Sequence, residues 1–130
     1  KPFGQGIINE WLHLHHQHRP LPVFNTFDSK INLIYIDDLV RAIKISSQKG
    51  LDGVFNIGAV ESVTIEEIIN GIELTSGRRP DLALIDLPQK RSMLINTDKF
   101  FREAKVRFRT DLKSRILSMH QTLQDRYEPR

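Results

Sequence analysis

The sequence predicts an α/β fold, α+β in places, with about five helices set among short strands. Three observations carry that expectation. Apolar residues recur at helical spacing in several separate stretches, β-branched and aromatic residues gather in short runs between them, and Gly and Pro mark the joins. Strands alternating with helices along a chain of 130 residues give the class, and that length leads us to expect one core.

The elements follow in order. Ile7, Ile8, Trp11 and Leu12 predict a helix from near Gly6 to the His-rich stretch before Pro20. Leu21-Pro22-Val23-Phe24 is short, apolar and β-prone, and its proline confines it to a sheet edge or a ligand-facing segment. The run from Ile31 to Ile36 is nearly continuous in β-branched and aromatic side chains and predicts a strand buried on both faces. A helix follows, with Asp37 or Asp38 expected as its cap and Leu39, Val40 and Ile43 as its buried stripe. Gly50 and Gly53 bracket a turn into an expected strand, Val54 to Ile57, closed by Gly58. Thr64-Ile65-Glu66-Glu67 has the capping-box pattern, ahead of a helix with Ile68, Ile69 and Ile72 on one face and a stop near Gly77. Leu82 to Leu87 predicts another strand, Thr97 to Ala104 a short helix, and Leu112 to Tyr127 a terminal helix carrying Leu112, Ile116, Met119 and Leu123.

Composition narrows the function classes. Apolar residues make up 39 % and charged residues 27 %, enough apolar matter to offset the ordering of the chain. With no cysteine, a disulfide framework and a thiolate metal site are both excluded, and a reducing, cytoplasmic setting is expected. No apolar stretch approaches the roughly 20 residues of a membrane span, so no membrane partner is expected. The formal charge of +3 favours an anionic partner without naming it. The chain opens on Lys1 and reads as mid-chain sequence from there, which leads us to expect a missing N-terminal partner.

Three segments, in order, resemble the second half of the extended short-chain dehydrogenase/reductase family, the group that includes UDP-galactose 4-epimerase and dTDP-glucose 4,6-dehydratase. The first is Pro22-Val23-Phe24 and, after a loop, Ile34-Tyr35-Ile36-Asp37-Asp38-Leu39-Val40-Arg41-Ala42-Ile43. The second is Gly53-Val54-Phe55-Asn56-Ile57-Gly58 with the Val63 to Ile68 helix start behind it, and the third is Arg91 to Lys99. The resemblance runs from Phe3-Gly4 to about Tyr127.

It implies that residues 1–130 are the substrate-binding C-terminal part of an NAD-dependent nucleotide-sugar epimerase or dehydratase, acting in polysaccharide biosynthesis. NAD or NADP would be held by a Rossmann domain absent from this chain, through a glycine-rich turn at a helix N-terminus. The chain has no such turn and no Tyr-x-x-x-Lys pair: Tyr35 is followed four places on by Leu39, and Tyr127 lies three residues from the end. No catalytic residue is therefore expected here, and the isolated chain is expected to be inactive, whereas the full-length protein would be an enzyme, with a homodimer a compatible assembly. The alternatives are a non-catalytic binding or assembly module of the same fold and a basic nucleic-acid binder.

By the same resemblance, the Leu21 to Phe24 segment lies along the nucleotide base, which makes Pro22 and Phe24 the expected base contacts. Filling the core is an equal alternative for Phe24. Arg91 matches a family arginine that pairs with phosphate, and Lys90 lies beside it. At Ile31 many relatives carry an arginine; Lys30 is the expected substitute, as a point charge without the bidentate fork. Asn96 stands where many relatives have aspartate, and Ala59-Val60-Glu61 replaces a small or polar loop.

Two other features point to less specific chemistry. His13, His15, His16 and His18 crowd one helix end but lack a suitably spaced acidic third ligand, so a solvated helix end is expected rather than a metal site. Between Lys99 and Arg115 basic residues interleave with Phe100, Phe101 and Phe108; helical spacing assigns the phenylalanines to the core and the cations to a solvated face, and no nucleic-acid partner is expected.

Overall fold

The computed structural model describes residues 6–24, 26–86, 92–109 and 111–127. Nine elements follow in chain order: α1 (Ile7–His16), β1 (Leu21–Phe24), β2 (Lys30–Ile31), α2 (Ile36–Lys49), β3 (Val63–Thr64), α3 (Ile65–Ser76), β4 (Leu82–Ile85), α4 (Asp98–Ala104) and α5 (Leu112–Tyr127). The mixed α/β class with five helices is as the sequence predicts. Where one core was expected, the chain divides into two compact units. The first comprises Lys1–Ser29, Thr64–Lys90 and Asp111–Arg130, the second Lys30–Val63 and Arg91–Thr110.

The first unit is built around α3. The Thr64 hydroxyl accepts from the Glu67 backbone N–H at 3.1 Å, and the Glu67 carboxylate accepts from the Thr64 N–H at 2.6 Å, so the capping box forms in full. Gly77, at φ 70°, ends the helix in the left-handed conformation that glycine adopts without strain. Ile68, Ile69 and Ile72 are fully buried, at about 1.5–3 kcal/mol each relative to exposure. Helix α5 packs on α3, with its Ile116 reaching the backbone of Gly71 so closely that a Cβ there would meet the Ile116 Cδ1. Asp111 caps α5: its carboxylate accepts from the Ser114 hydroxyl at 2.6 Å and the Ser114 N–H at 3.3 Å, and these bonds hold its pKa below the usual carboxylate range. Helix α1 lies against α5 and β1 and contributes Trp11 and Leu12 to the core. Strands β1 and β4 form a parallel pair in the register Leu21 with Leu82, Pro22 with Ala83, Val23 with Leu84 and Phe24 with Ile85.

The second unit packs α2 against α4. Its core is Ala42, Phe100, Ala104 and Phe108, with Ile34, Ile45, Leu51, Phe55, Ile57 and Val106 around it. Phe100 meets Phe55 edge-on at 6.1 Å and stacks with Phe108 at 6.2 Å, so Phe100 and Phe108 take the core role that their spacing predicts.

Four expectations are corrected in this unit. The expected strand Ile31 to Ile36 shrinks to Lys30–Ile31, because Asn32 uses its amide to clasp Ala59: Nδ2 donates to the Ala59 carbonyl at 2.9 Å, and Oδ1 accepts the Ala59 N–H at 3.0 Å. The expected strand Val54 to Ile57 is irregular, tied to the segment that leads into and forms α4 by one side chain from each: Lys99 Nζ donates to the Val54 carbonyl and lies 4.4 Å over the Phe55 ring, and the Asn56 side chain donates to the Asn96 carbonyl. Neither Asp37 nor Asp38 caps α2. Tyr35 holds the N-cap position without a side-chain bond, and both aspartates lie in the first turn, where they only complement the dipole. The buried face of α2 is marked by Ala42, whereas Leu39 is half-buried and Val40 and Ile43 are exposed.

The clasp explains Gly58. A Cβ at this position would collide with the Asn32 Oδ1, which its two bonds to Ala59 prevent from moving aside. Gly58→Ala is expected to cost about 1–3 kcal/mol, the penalty for unmaking buried hydrogen bonds, whereas Gly71→Ala meets only a flexible methyl end and is expected to cost less. Urea unfolding of the two variants checks this order.

Candidate functional site

Alternation along β1 decides which side chains it offers. Leu21 and Val23 are buried at 0 % and 1 % exposure, so Pro22 and Phe24 take the opposite face, and Phe24 is 49 % exposed. The core-filling alternative for Phe24 is thereby removed. The register places Ala83 beside Pro22 and Ile85 beside Phe24, and these two β4 residues are exposed as well. The outcome is an apolar ledge on the first unit, made of Pro22, Phe24, Ala83 and Ile85. Sequence reasoning missed Ala83 and Ile85, since the unbroken apolar run from Leu82 to Ile85 gives no alternation to read, and β4 shows none: Leu84, paired with the buried Val23, is itself 59 % exposed.

On the second unit, Lys30 is exposed and its backbone is fixed across the chain. The Lys30 N–H donates to the Ser92 hydroxyl at 3.1 Å, the Met93 N–H donates to the Lys30 carbonyl at 2.8 Å, and Ile31 bridges Met93 in parallel. Ser92 is the residue next to Arg91 in sequence. Arg91 and Lys90 lie outside the described residues, yet the Lys30 backbone is tied to the chain directly following them. Ile31 is half-buried at this bridge.

The same unit carries a cleft of about 380 Å³ lined by Val60, Leu94, Ile95, Asn96, Thr97, Asp98 and Arg107. Arg107 is stacked 3.7 Å over the Phe101 ring, which holds its guanidinium in place. Asn96 has a structural task at the start of α4, its Oδ1 accepting the Asp98 N–H at 2.9 Å.

The histidines correct one expectation. His15 is buried rather than solvated: its Nε2 lies 2.9 Å from the Ser76 hydroxyl and its Nδ1 3.1 Å from Arg78 Nη2. Burial, with the Arg78 charge adding to it, lowers its pKa to about 4, so near neutral pH it is uncharged and brings no cation to the helix terminus. His120 is lowered as well, by burial and then by the nearby His16.

The described glycines do not build a dinucleotide site. Gly50 and Gly77 end helices, Gly71 lies inside α3, Gly58 abuts Asn32, Gly53 precedes the irregular Val54 to Ile57 segment, and Gly6 holds the N-cap of α1 with no described strand ahead of it. These residues do not fit a nicotinamide cofactor's pyrophosphate. Among the described residues, no helix is long and apolar enough to cross a membrane.

No protein-family model matches the sequence. A curated relative, dTDP-4-dehydro-6-deoxyglucose reductase of Escherichia coli, is 32 % identical over 83 residues, which cover 63 % of this chain and 26 % of the relative. Among solved structures, UDP-glucuronic acid 4-epimerase from Bacillus cereus in complex with NAD superposes with a TM-score of 0.82 at 17 % identity, over 95 % of this chain and 40 % of that one. UDP-glucose 4-epimerase from Thermotoga maritima, solved with UDP-glucose, gives 0.81 at 18 % identity over 98 % and 42 %. The chain thus spans about a quarter of the curated relative and about two fifths of these structures. The family resemblance read from the sequence is matched in fold: the neighbours include nucleotide-sugar epimerases and dTDP-glucose 4,6-dehydratase from Bacillus anthracis.

The ledge separates a packing role from a surface role. Leu21→Ala is expected to cost about 2–5 kcal/mol, as core truncations do, whereas Phe24→Ser on the adjoining outward face is expected to cost less than about 1 kcal/mol. Thermal unfolding of the two variants tests the assignment, and equal losses would return Phe24 to the core.

Proposed function

We propose that this chain is the substrate-recognising C-terminal part of an NAD- or NADP-dependent nucleotide-sugar epimerase, dehydratase or reductase, with the cofactor bound by a Rossmann half elsewhere in the full-length protein. The observation that carries the reading is the outward-facing Pro22 and Phe24 on a strand whose other face is core, in a chain with the fold of nucleotide-sugar epimerases.

A nucleotide-sugar presents a flat base at one end and two phosphates in the middle. Recognition therefore asks for an apolar surface against the base and cationic groups against the diphosphate. In this proposal Pro22 and Phe24 pack the base, with Ala83 and Ile85 extending the surface beneath them. Arg91 supplies a bidentate guanidinium to a phosphate, and Lys30 adds a point charge in place of the arginine that relatives carry one residue later. The ketone-forming hydride transfer requires the cofactor half. This chain's contribution is to hold the sugar at a fixed distance and angle, the entropic part of catalysis.

Calorimetry on the full-length protein with cofactor present, titrating UDP- and dTDP-sugars, tests the reading, and lack of binding to every nucleotide-sugar overturns it. Arg91→Ala is expected to weaken binding by about 1.5–3 kcal/mol, the range for losing a charge-assisted hydrogen bond. An unchanged Kd would remove Arg91 from the site while leaving the ledge in place.

A further inference from the structure

All five histidines of the chain belong to the first unit, four of them at the C-terminal end of α1 and just beyond it, and His120 on α5. His15 is 3 % exposed and is held at both ring nitrogens. Arg78 Nη2 lies 3.1 Å from Nδ1 and also donates to the His15 carbonyl at 2.6 Å. A guanidinium has donors only, so the Nδ1 it faces must offer a lone pair. That fixes a neutral ring whose Nε2–H donates to the Ser76 hydroxyl at 2.9 Å, while Ser76 in turn donates to the Ile72 carbonyl at 2.7 Å. The end of α1 is in this way fastened to the end of α3 through one uncharged imidazole.

The groups around the ring favour that state. His18 from the end of α1, Arg78 from the turn after α3 and His120 from α5 all oppose a charge on His15, and Asp81 ahead of β4 alone favours one. Strand β1, packed on α1, carries no titratable side chain.

We propose that the His15–Arg78 contact is an acid-released latch: protonation of Nδ1 expels the Arg78 guanidinium and frees the C-terminal end of α1 from α3. A proton at Nδ1 takes the lone pair that Arg78 uses and sets two cations against each other in a buried site. The direction of the pH effect follows from linkage. The latched ring titrates near 4, and a released, solvated histidine near its ordinary value of 6.5. Between these values the released form binds a proton that the latched form does not. The latch is therefore at full strength above pH 6.5 and weakens as the pH falls toward 4. The inference stands apart from the nucleotide-sugar reading, since none of these residues belongs to the ledge or to the Lys30 edge.

Trp11, the sole tryptophan, is 3 % exposed one helical turn before His15 and reports on the event. Trp11 emission followed from pH 8 to 3.5 is expected to shift to the red reversibly, with a midpoint between 4 and 6.5, in step with the His15 imidazole signal in NMR. His15→Gln is expected to abolish that midpoint. Arg78→Met, which removes the guanidinium that the proton would expel, is expected to lose the emission midpoint while the His15 imidazole titrates at higher pH in NMR, and this second variant decides the matter if His15→Gln does not fold. Wild-type emission that stays constant down to pH 4, a wild-type midpoint retained in His15→Gln, or an emission midpoint retained in Arg78→Met overturns the latch.

Discussion

The second unit depends on a side-chain amide taking the place of a strand ladder. Asn32 pairs with both backbone groups of Ala59, a carboxamide matching a peptide in the manner of two neighbouring strands. That clasp excludes a side chain at Gly58, fixes the loop that follows, and leaves Lys30 and Ile31 free to bond Ser92 and Met93 instead. Ala59 also bridges Phe108, and the Val60 N–H donates to the Phe108 carbonyl, so the clasp reaches the aromatic core through the backbone. One polar side chain thus joins the exposed cation at position 30 to the packing of Phe100 and Phe108.

This also explains what was legible in the sequence. Where a local rule determines an element, the residues display it: the Thr64 to Glu67 capping box, the glycine at 77, the isoleucine face of α3 and the short strand at Leu21 to Phe24 all form as read. Where a long-range polar contact overrides local preference, they do not. Ile31 to Ile36 and Val54 to Ile57 have strong β propensity, yet Asn32, Asn56 and Lys99 bind backbone groups across the chain, and residues 32–35 and 54–57 remain irregular. The apolar spacing of Leu39, Val40 and Ile43 likewise mistook the face of α2, because the helix is seated on the small Ala42 and not on its larger neighbours. His15 escaped for the same reason: its partners Ser76 and Arg78 are more than sixty positions away.

The candidate site was half legible. The pairing of a β-prone tetrapeptide with an internal proline pointed to a strand at a sheet edge, and burial of Leu21 and Val23 then forces Pro22 and Phe24 outward. The β4 contribution depended on a parallel register that no local pattern in Leu82 to Ile85 encodes. The tie between Lys30 and Ser92, 62 positions apart, is also a product of folding alone.

Physical economy bears on what the ledge is for. A half-exposed phenylalanine beside a proline, an alanine and an exposed isoleucine gains little from folding, since apolar side chains stabilise by leaving water. Polar residues at Pro22 and Phe24 would preserve the alternation and the core face unchanged. An apolar surface of this kind is stabilised when another apolar surface covers it, which is the part the proposed function gives to the nucleobase. The charge side follows a different logic. With isoleucine at position 31 half-buried against Met93, the only cation that segment offers is Lys30, a point charge lacking the geometry to read a diphosphate. In the proposed reading, Lys30 therefore adds attraction to an anion without direction.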